Sequence, residues 1–222
     1  MIKRILEIIM FPFSLLLQFI LLPFKIVKII WDDKKEQKKS NTDAISNKTK
    51  KEELSSAGHY LFPDFAAEFA TFFNEHQNNK KRFLSSNKSL LVRYDNFKLE
   101  QLKPIEVVYI FGDSKQKVTI TDWRGEENER EIEHFLENKL QIKVLWNNTN
   151  ELRKAVDEKK QNNPEFVIAL LKTIDKDLQS LKKRIIFFDL GWDSYVYTAV
   201  SQASYKMLTE KFGTFFHGTD KL

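Results

Sequence analysis

The chain has 222 residues, of which 42% are hydrophobic and 13% aromatic, enough for one domain with a real core and an additional segment. The net charge of +5 is concentrated in residues 1–58, with eleven Lys and Arg against seven Asp and Glu, while residues 59–222 carry twenty-five against twenty-four. A nucleic-acid-binding domain concentrates positive charge on itself, so we predict no nucleic-acid partner. The absence of cysteine excludes disulfides, thiolate catalysis and cysteine zinc sites.

Residues 1–31 form a strongly apolar segment. The least interrupted run, residues 8–24, is seventeen residues long, and a membrane-spanning helix needs about 20. The polar positions, at ~100° per residue, lie on one narrow stripe of a helix: Glu7, Ser14, Gln18, Lys25 and Lys28. We therefore predict a membrane-anchoring helix that contacts lipid. It either spans the bilayer or lies in the interface with its stripe toward water.

Basic residues flank the apolar segment unequally. The side that precedes it has Lys3 and Arg4, and the side that follows has more lysines: Lys25, Lys28, Lys34, Lys35, Lys38 and Lys39. The excess predicts a cytoplasmic location for everything C-terminal to the membrane. Residues 32–58 are polar and charged, which predicts a disordered linker. Residues 59–222 have the apolar content of a folded domain.

Apolar spacing and turn residues predict the elements of this domain in chain order. A helix is expected from Pro63 to Asn78, because four phenylalanines recur at helical spacing, and a short strand over residues 89–94. Residues 105–112 and 117–123 are rich in β-branched and aromatic side chains and predict a β-hairpin. A helix over 126–140 and a short strand over 142–146 follow.

The C-terminal half repeats this pattern. Asn148 or Asn150 opens one predicted helix, and Asn163-Pro164 opens another with apolar residues at i, i+3, i+4 and i+7. Residues 184–190 and 194–200 predict a second hairpin, after which Ser201 caps the last helix. The predicted fold is α+β, with an antiparallel or mixed sheet built from two β-hairpin–helix units and helices on one face.

The stretch TDWRGEENEREIEHF, residues 121–135, has two interpretations. Acidic side chains at the start of a helix complement its dipole, which accounts for nearly every charge. Two tryptophans at predicted turns, Trp123 and Trp192, are recognition-type residues. If both turns lie at one end of the sheet, a polar rim with aromatic anchors is expected there. The candidate binding residues are Asp122, Trp123, Arg124, Glu126, Glu127, Trp192 and Asp193.

Evidence for an enzyme is sparse. The sequence has no glycine-rich phosphate loop, no His-x-x-x-His pair and no G-x-S-x-G elbow. We predict no catalytic residue, no metal ligand and no cofactor. Carboxylate or divalent-metal catalysis at the hairpin ends would use Asp122, Asp189 and Asp193.

The segments TDWRGEENEREIEHFL and FFDLGWDSYVYTAVSQASYKML carry a family resemblance. A strand ending in Asp-Trp precedes an acidic helix, and a late Asp-Ser-Tyr strand precedes the last helix. Over about residues 100–212 the chain resembles a bacterial domain-of-unknown-function family. The resemblance implies an α+β fold and transfers no activity. A similar style among bacterial immunity proteins is analogy alone.

Three hypotheses follow. The first is a membrane-tethered, cytoplasm-facing protein-binding domain, such as an immunity or adaptor protein, whose acidic surface suits a basic partner. The second is a membrane-tethered hydrolase or metal-dependent enzyme, which requires at least two of four carboxylates to converge in a concave pocket: Asp122, Glu126, Asp189 and Asp193. The third is a structural subunit of a membrane complex, held by the striped helix.

Overall fold

The computed structural model describes residues 54–94, 97–156, 161 and 163–222. The predicted membrane helix at 1–31 and the linker as far as residue 53 lie outside the described residues. None of the helices in the described part of the chain combines the length and the apolar character that a membrane crossing requires.

Short and medium helices alternate with a small sheet. The helices are α1 (Gly58–Leu61), α2 (Ala66–Asn78), α3 (Lys80–Ser86), α4 (Lys88–Leu91), α5 (Pro104–Ser114), α6 (Glu131–Leu140), α7 (Asn147–Ala155), α8 (Pro164–Gln179) and α9 (Gln202–Lys211). The strands are β1 (Thr119–Thr121), β2 (Lys183–Phe188), β3 (Tyr195–Ser201) and β4 (Phe216–His217). Single 3-10 turns occupy Pro63–Phe65, Val92–Tyr94, Leu99–Gln101 and Thr219–Lys221.

The four strands form one antiparallel sheet in the order β1-β3-β2-β4. Lys183 pairs with Ser201 and Phe187 with Tyr197, so β2 and β3 are the hairpin predicted from the sequence. Strand β1 pairs with β3, and Thr121 lies opposite Tyr195. The prediction of an α+β domain with an antiparallel sheet is therefore confirmed.

Helices cover both faces of the sheet, so the prediction of helices on one face is wrong. Ile186 and Val196 point into a core formed with α1 to α5 and α9. Ile185 and Tyr197 point into a second core formed with α6, α7 and α8. The physical reason lies in the strands, which are apolar on both sides, as expected of a strand buried on both faces.

The first predicted hairpin is also wrong, because residues 104–114 form helix α5. Pro104 occupies its first turn, and the Glu106 carboxylate accepts a hydrogen bond from the Lys103 backbone N–H at 2.7 Å. Most of α5 is buried, so its apolar residues face neighbours on every side. A short apolar run buried all round lacks the periodicity that separates a helix from a strand. The sheet therefore does not consist of two β-hairpin–helix units.

Three smaller predictions change for local reasons. Residues 89–94 are helical and not a strand. Helix α6 begins at Glu131 and not at Glu126, because Arg130 adopts a left-handed backbone with φ of 64°. Residues 142–146 form a loop in place of a strand. The Glu137 carboxylate holds this loop by accepting hydrogen bonds from the Val144 backbone N–H and the Trp146 indole, both at 3.1 Å.

The folded domain begins before His59, the predicted boundary. Leu54 and Ala57 are fully buried in the core, and Gly58 packs against the Phe69 ring. A Cβ at Gly58 would lie 2.1 Å from Phe69 Cδ1, closer than any real contact. Residues 54–58 therefore belong to the domain and not to the linker.

Ser201 caps α9, as predicted. Its hydroxyl oxygen accepts a hydrogen bond from the Ser204 backbone N–H at 3.0 Å. We expect Ser201→Ala to lower the free energy of unfolding by about 1 kcal/mol, the typical value of an N-cap. Urea denaturation of the full-length protein in detergent measures this loss. The control is Ser85→Ala, whose exposed hydroxyl lies within α3 and donates a hydrogen bond to Arg82 O. Equal losses in the two variants would contradict the capping role.

Candidate functional site

A tight turn at the end of β1 presents Trp123 to solvent. Asp122 Oδ1 accepts hydrogen bonds from the Arg124 backbone N–H at 2.8 Å and from Arg124 Nε at 3.0 Å, and Oδ2 accepts from Nη2 at 3.1 Å. Gly125, with φ of 137°, closes the turn by bridging back to Asp122. The hydrogen bond from the guanidinium holds the pKa of the Asp122 carboxyl below its ordinary value. The turn is therefore built by its own side chains.

Trp123 is the exposed aromatic of this turn. Its side chain is 43% exposed, and the Arg124 guanidinium lies 5.9 Å from its ring centroid. Ile120, on the adjoining edge strand, is 39% exposed. Glu127, two residues beyond the turn, is also exposed, and its backbone N–H donates a hydrogen bond to Glu131 Oε2. An apolar surface with an acidic margin results.

Trp192 lies at the same end of the sheet and has a different role. Because Thr121 lies opposite Tyr195, the turn after β1 and the loop before β3 leave the sheet at one end. The Trp192 ring, however, is half-buried and packs edge-on against Phe97 at 5.3 Å and Tyr109 at 5.2 Å. Trp192 therefore packs at the edge of the core, and Trp123 is the more exposed of the two tryptophans.

Glu126 lies inside the protein, in an ion-pair triad. Its Oε2 is 2.6 Å from Arg153 Nη2, which also lies 2.8 Å from Glu133 Oε2. The three side chains are at most 9% exposed. Glu126 Oε1 also accepts the Ile132 backbone N–H at 2.9 Å, near the start of α6. Burial raises the pKa of the Glu126 carboxyl. The side chain is held by the triad and by the start of α6, and it lies in the wall of an open cavity and not on the exposed turn.

An open cavity of about 870 Å³ adjoins the triad. Exposed Glu127 and Glu129 line one part of it, and Lys154 and Arg130 another, with Arg130 donating to Asn150 Oδ1. Acidic and basic side chains are present in equal number among the lining residues, so the cavity has no dominant affinity for an anion or a cation.

The carboxylates of the enzyme hypothesis lie in three places. Asp189 and Asp193 line one concave surface of about 380 Å³ together with His217. Asp122 is paired with Arg124, and Glu126 with Arg153. Within the described residues, no group of three or more His, Asp and Glu side chains is arranged to hold a metal ion. Of the four carboxylates, only Asp189 and Asp193 line the same concave surface.

Sequence reasoning did not find Arg153 or Glu133. Arg153 is separated from its two partners by 20 and 27 residues, so no local pattern joins them. Glu133 fell within an acidic helix that the sequence treats as solvated. The sequence shows only that Arg153 lies on an amphipathic helix, and this position does not indicate which carboxylate it contacts.

The fold and these contacts define a small α+β domain with two cores and an exposed, internally braced tryptophan turn. Residues 44–220 match the family described as Domain of unknown function (DUF6630). The chain therefore belongs to this family, and the predicted resemblance is confirmed over a longer stretch than expected. No curated protein and no solved structure matches the chain.

Proposed function

We propose that this protein is a membrane-tethered, cytoplasm-facing protein-binding domain of the immunity or adaptor type, with Trp123 at the centre of its recognition surface. Residues 1–31 contact membrane lipid in this proposal. The observation that carries it is the 43% exposure of Trp123 on a turn that Asp122 and Arg124 hold in place.

A tryptophan on a braced turn suits recognition for energetic reasons. Hot spots in protein interfaces are enriched in Trp because the ring offers a large contact area with few rotatable bonds. The Asp122–Arg124 contacts fix the backbone that carries the ring, so less conformational entropy is lost on binding.

The surroundings of Trp123 favour a partner with an apolar pocket and a basic rim. Ile120 extends the apolar contact along the edge strand. Glu127 and Glu129 are exposed beyond the turn and can pair with individual basic side chains of a partner, which raises the association rate more than the affinity. A membrane tether would raise the local concentration of the domain near a membrane-bound partner.

Site-specific photo-crosslinking in native membranes tests this proposal. A photoreactive residue at position 127 of the full-length protein is expected to capture one major partner. The change Trp123→Ala is expected to raise the Kd of the purified complex about 30-fold, corresponding to a hot spot of ~2 kcal/mol.

The matched control is Leu145→Ala, which removes a side chain that is 82% exposed and belongs to another loop. We expect this variant to bind the partner normally. A partner whose affinity survives Trp123→Ala, or falls equally with Leu145→Ala, would refute a recognition surface at the turn.

A further inference from the structure

A basic cavity lies at the end of the sheet opposite the tryptophan turn. Pairing of Lys183 with Ser201 sets the start of β2 beside the end of β3. Lys117 lies two residues before β1, and that strand begins opposite Tyr197, so its amino group reaches the same end. The last turn of α6 adds Lys139. The cavity between these elements has a volume of about 350 Å³.

The three lysines bring more positive charge than their surroundings neutralise. None of their amino groups forms an ion pair with a carboxylate of the described part of the chain, and of the residues that line the cavity Asp64 alone is acidic. All three lysines line this one cavity of about 350 Å³, so their charges lie close together. Burial, followed by the charge of Lys117, lowers the pKa of Lys139 to about 8.

The remaining lining is suited to enclosing a small polar group. Phe62, Phe65 and Leu140 form apolar walls, which strengthen electrostatic interactions by excluding water. The Ser204 hydroxyl lies at the rim, and its oxygen accepts a hydrogen bond from Ser201 Oγ at 2.9 Å, so its proton remains available for donation. The lysine ammonium groups and the Ser204 hydroxyl can therefore donate hydrogen bonds to a ligand in the cavity.

We propose that this cavity binds a phosphate monoester through Lys117, Lys139 and Lys183. Three ammonium groups and the Asp64 carboxylate leave a net charge of +2, which balances the charge of about −1.5 to −2 that a phosphate monoester carries at pH 7. Lysines bind phosphate as point charges, and each donates to a phosphate oxygen. A phosphodiester, with a single negative charge, leaves one positive charge unmatched.

The same chemical group has two sources. One is a soluble phosphorylated small molecule, and the other is a lipid with a terminal phosphate, such as phosphatidic acid. The lysine constellation recognises the phosphate in either case. The experiment below separates the two sources.

Trace acetylation of the full-length protein in detergent, followed by peptide mass spectrometry, reports the reactivity of each lysine. Inorganic phosphate is the soluble probe, compared with sodium chloride at equal ionic strength. The labelling rates of Lys117, Lys139 and Lys183 are expected to fall about tenfold when phosphate is present at about ten times its dissociation constant, since protection follows 1 + [L]/Kd. Lys206, an exposed lysine on α9, serves as the internal control.

The lipid arm uses the full-length protein in phosphatidylcholine vesicles with and without about one part in five of phosphatidic acid, an anionic surface. Protection by inorganic phosphate supports the cavity with a soluble source. Protection only in the vesicles that contain phosphatidic acid supports it with a lipid source. Protection by neither probe, or equal protection by sodium chloride, overturns the proposal.

Two variants tie the protection to the cavity. Lys139→Met is expected to abolish the protection of Lys117 and Lys183, whereas Lys206→Met leaves it unchanged. Lys183→Gln provides an independent removal of one charge, and thermal unfolding verifies that each variant folds. Undiminished protection of the remaining lysines in both cavity variants overturns the proposal.

Discussion

Replacing Arg153 with methionine is expected to lower the free energy of unfolding by about 3–5 kcal/mol, the cost of leaving buried charge without its partner. Arg153 is the cation between Glu126 and Glu133, and its removal leaves two carboxylates in a site that is at most 9% exposed. Methionine keeps most of the side-chain volume, so the loss reports on charge and not on a cavity. Urea denaturation of the full-length protein in detergent measures it.

The pH dependence of this variant separates electrostatics from packing. Burial already raises the pKa of Glu126 with Arg153 present. A carboxyl with a raised pKa in the folded state binds more protons there than in the unfolded chain, so stability falls as pH rises through that window. The variant is therefore expected to regain stability on acidification from neutral pH. A loss independent of pH would mean that packing, and not charge, is responsible.

Two comparisons complete the test. The double change Glu133→Gln with Arg153→Met is expected to be more stable than Arg153→Met alone, because a single carboxylate remains buried. Lys206→Met, which removes an exposed pair to Glu210 at 3.9 Å, is expected to leave the unfolding midpoint almost unchanged.

The second large effect has the opposite sign. We expect Lys139→Met to raise the free energy of unfolding at neutral pH by about 1–3 kcal/mol, because each unit of pKa shift corresponds to about 1.4 kcal/mol. Burial and the neighbouring charges of Lys117 and Lys183 lower the pKa of Lys139 from 10.5 to about 8. Below pH 8 the folded protein therefore holds a charge that the unfolded chain solvates better.

The gain has a defined pH window. Between pH 8 and 10.5 Lys139 is neutral in the folded state and still charged in the unfolded chain, so wild-type stability rises with pH through this interval. The advantage of Lys139→Met is then lost as pH rises from 8 to 10.5. Denaturation series at pH 7, 8, 9 and 10 compare the two proteins, and Lys206→Met is the exposed control. A variant less stable than the wild type at pH 7 would contradict the assignment.

The two predictions together describe how charge is distributed in the domain. The Arg153 guanidinium donates hydrogen bonds to two carboxylates, those of Glu126 and Glu133. Around Lys139 three cations meet a single carboxylate without an ion pair among the described residues. The first arrangement is complete without a ligand and stabilises the fold. The second is destabilising until an anion arrives, as in sites where stability is given up for binding.

The elements that the sequence predicted correctly have local causes. Helix α8 is specified by Asn163, whose side chain accepts the Phe166 N–H at 2.9 Å, by Pro164 in the first turn and by an apolar stripe. The hairpin of β2 and β3 is specified by two apolar runs around Gly191, whose φ of 70° suits glycine. The exposed turn at Trp123 likewise follows from short-range contacts, because Asp122 and Arg124 are two residues apart.

Tertiary structure decided what depends on burial and on distant partners. Residues 105–112 form a helix that is buried on nearly every side. Because a helix buried all round has no apolar periodicity, the run of apolar residues fits a strand equally well. Glu126 resembles Glu127 in the sequence, yet Arg153 draws it into the interior. Lys117, Lys139 and Lys183 line one cavity only because β1 and β2 pair with β3 and α6 packs beside them. By itself the sequence determined the class of fold, the hairpin of β2 and β3, the caps at Asn163 and Ser201 and the turn at Trp123. The free energy of burying a charge depends on groups far apart in the chain, and only the folded arrangement determines which groups meet.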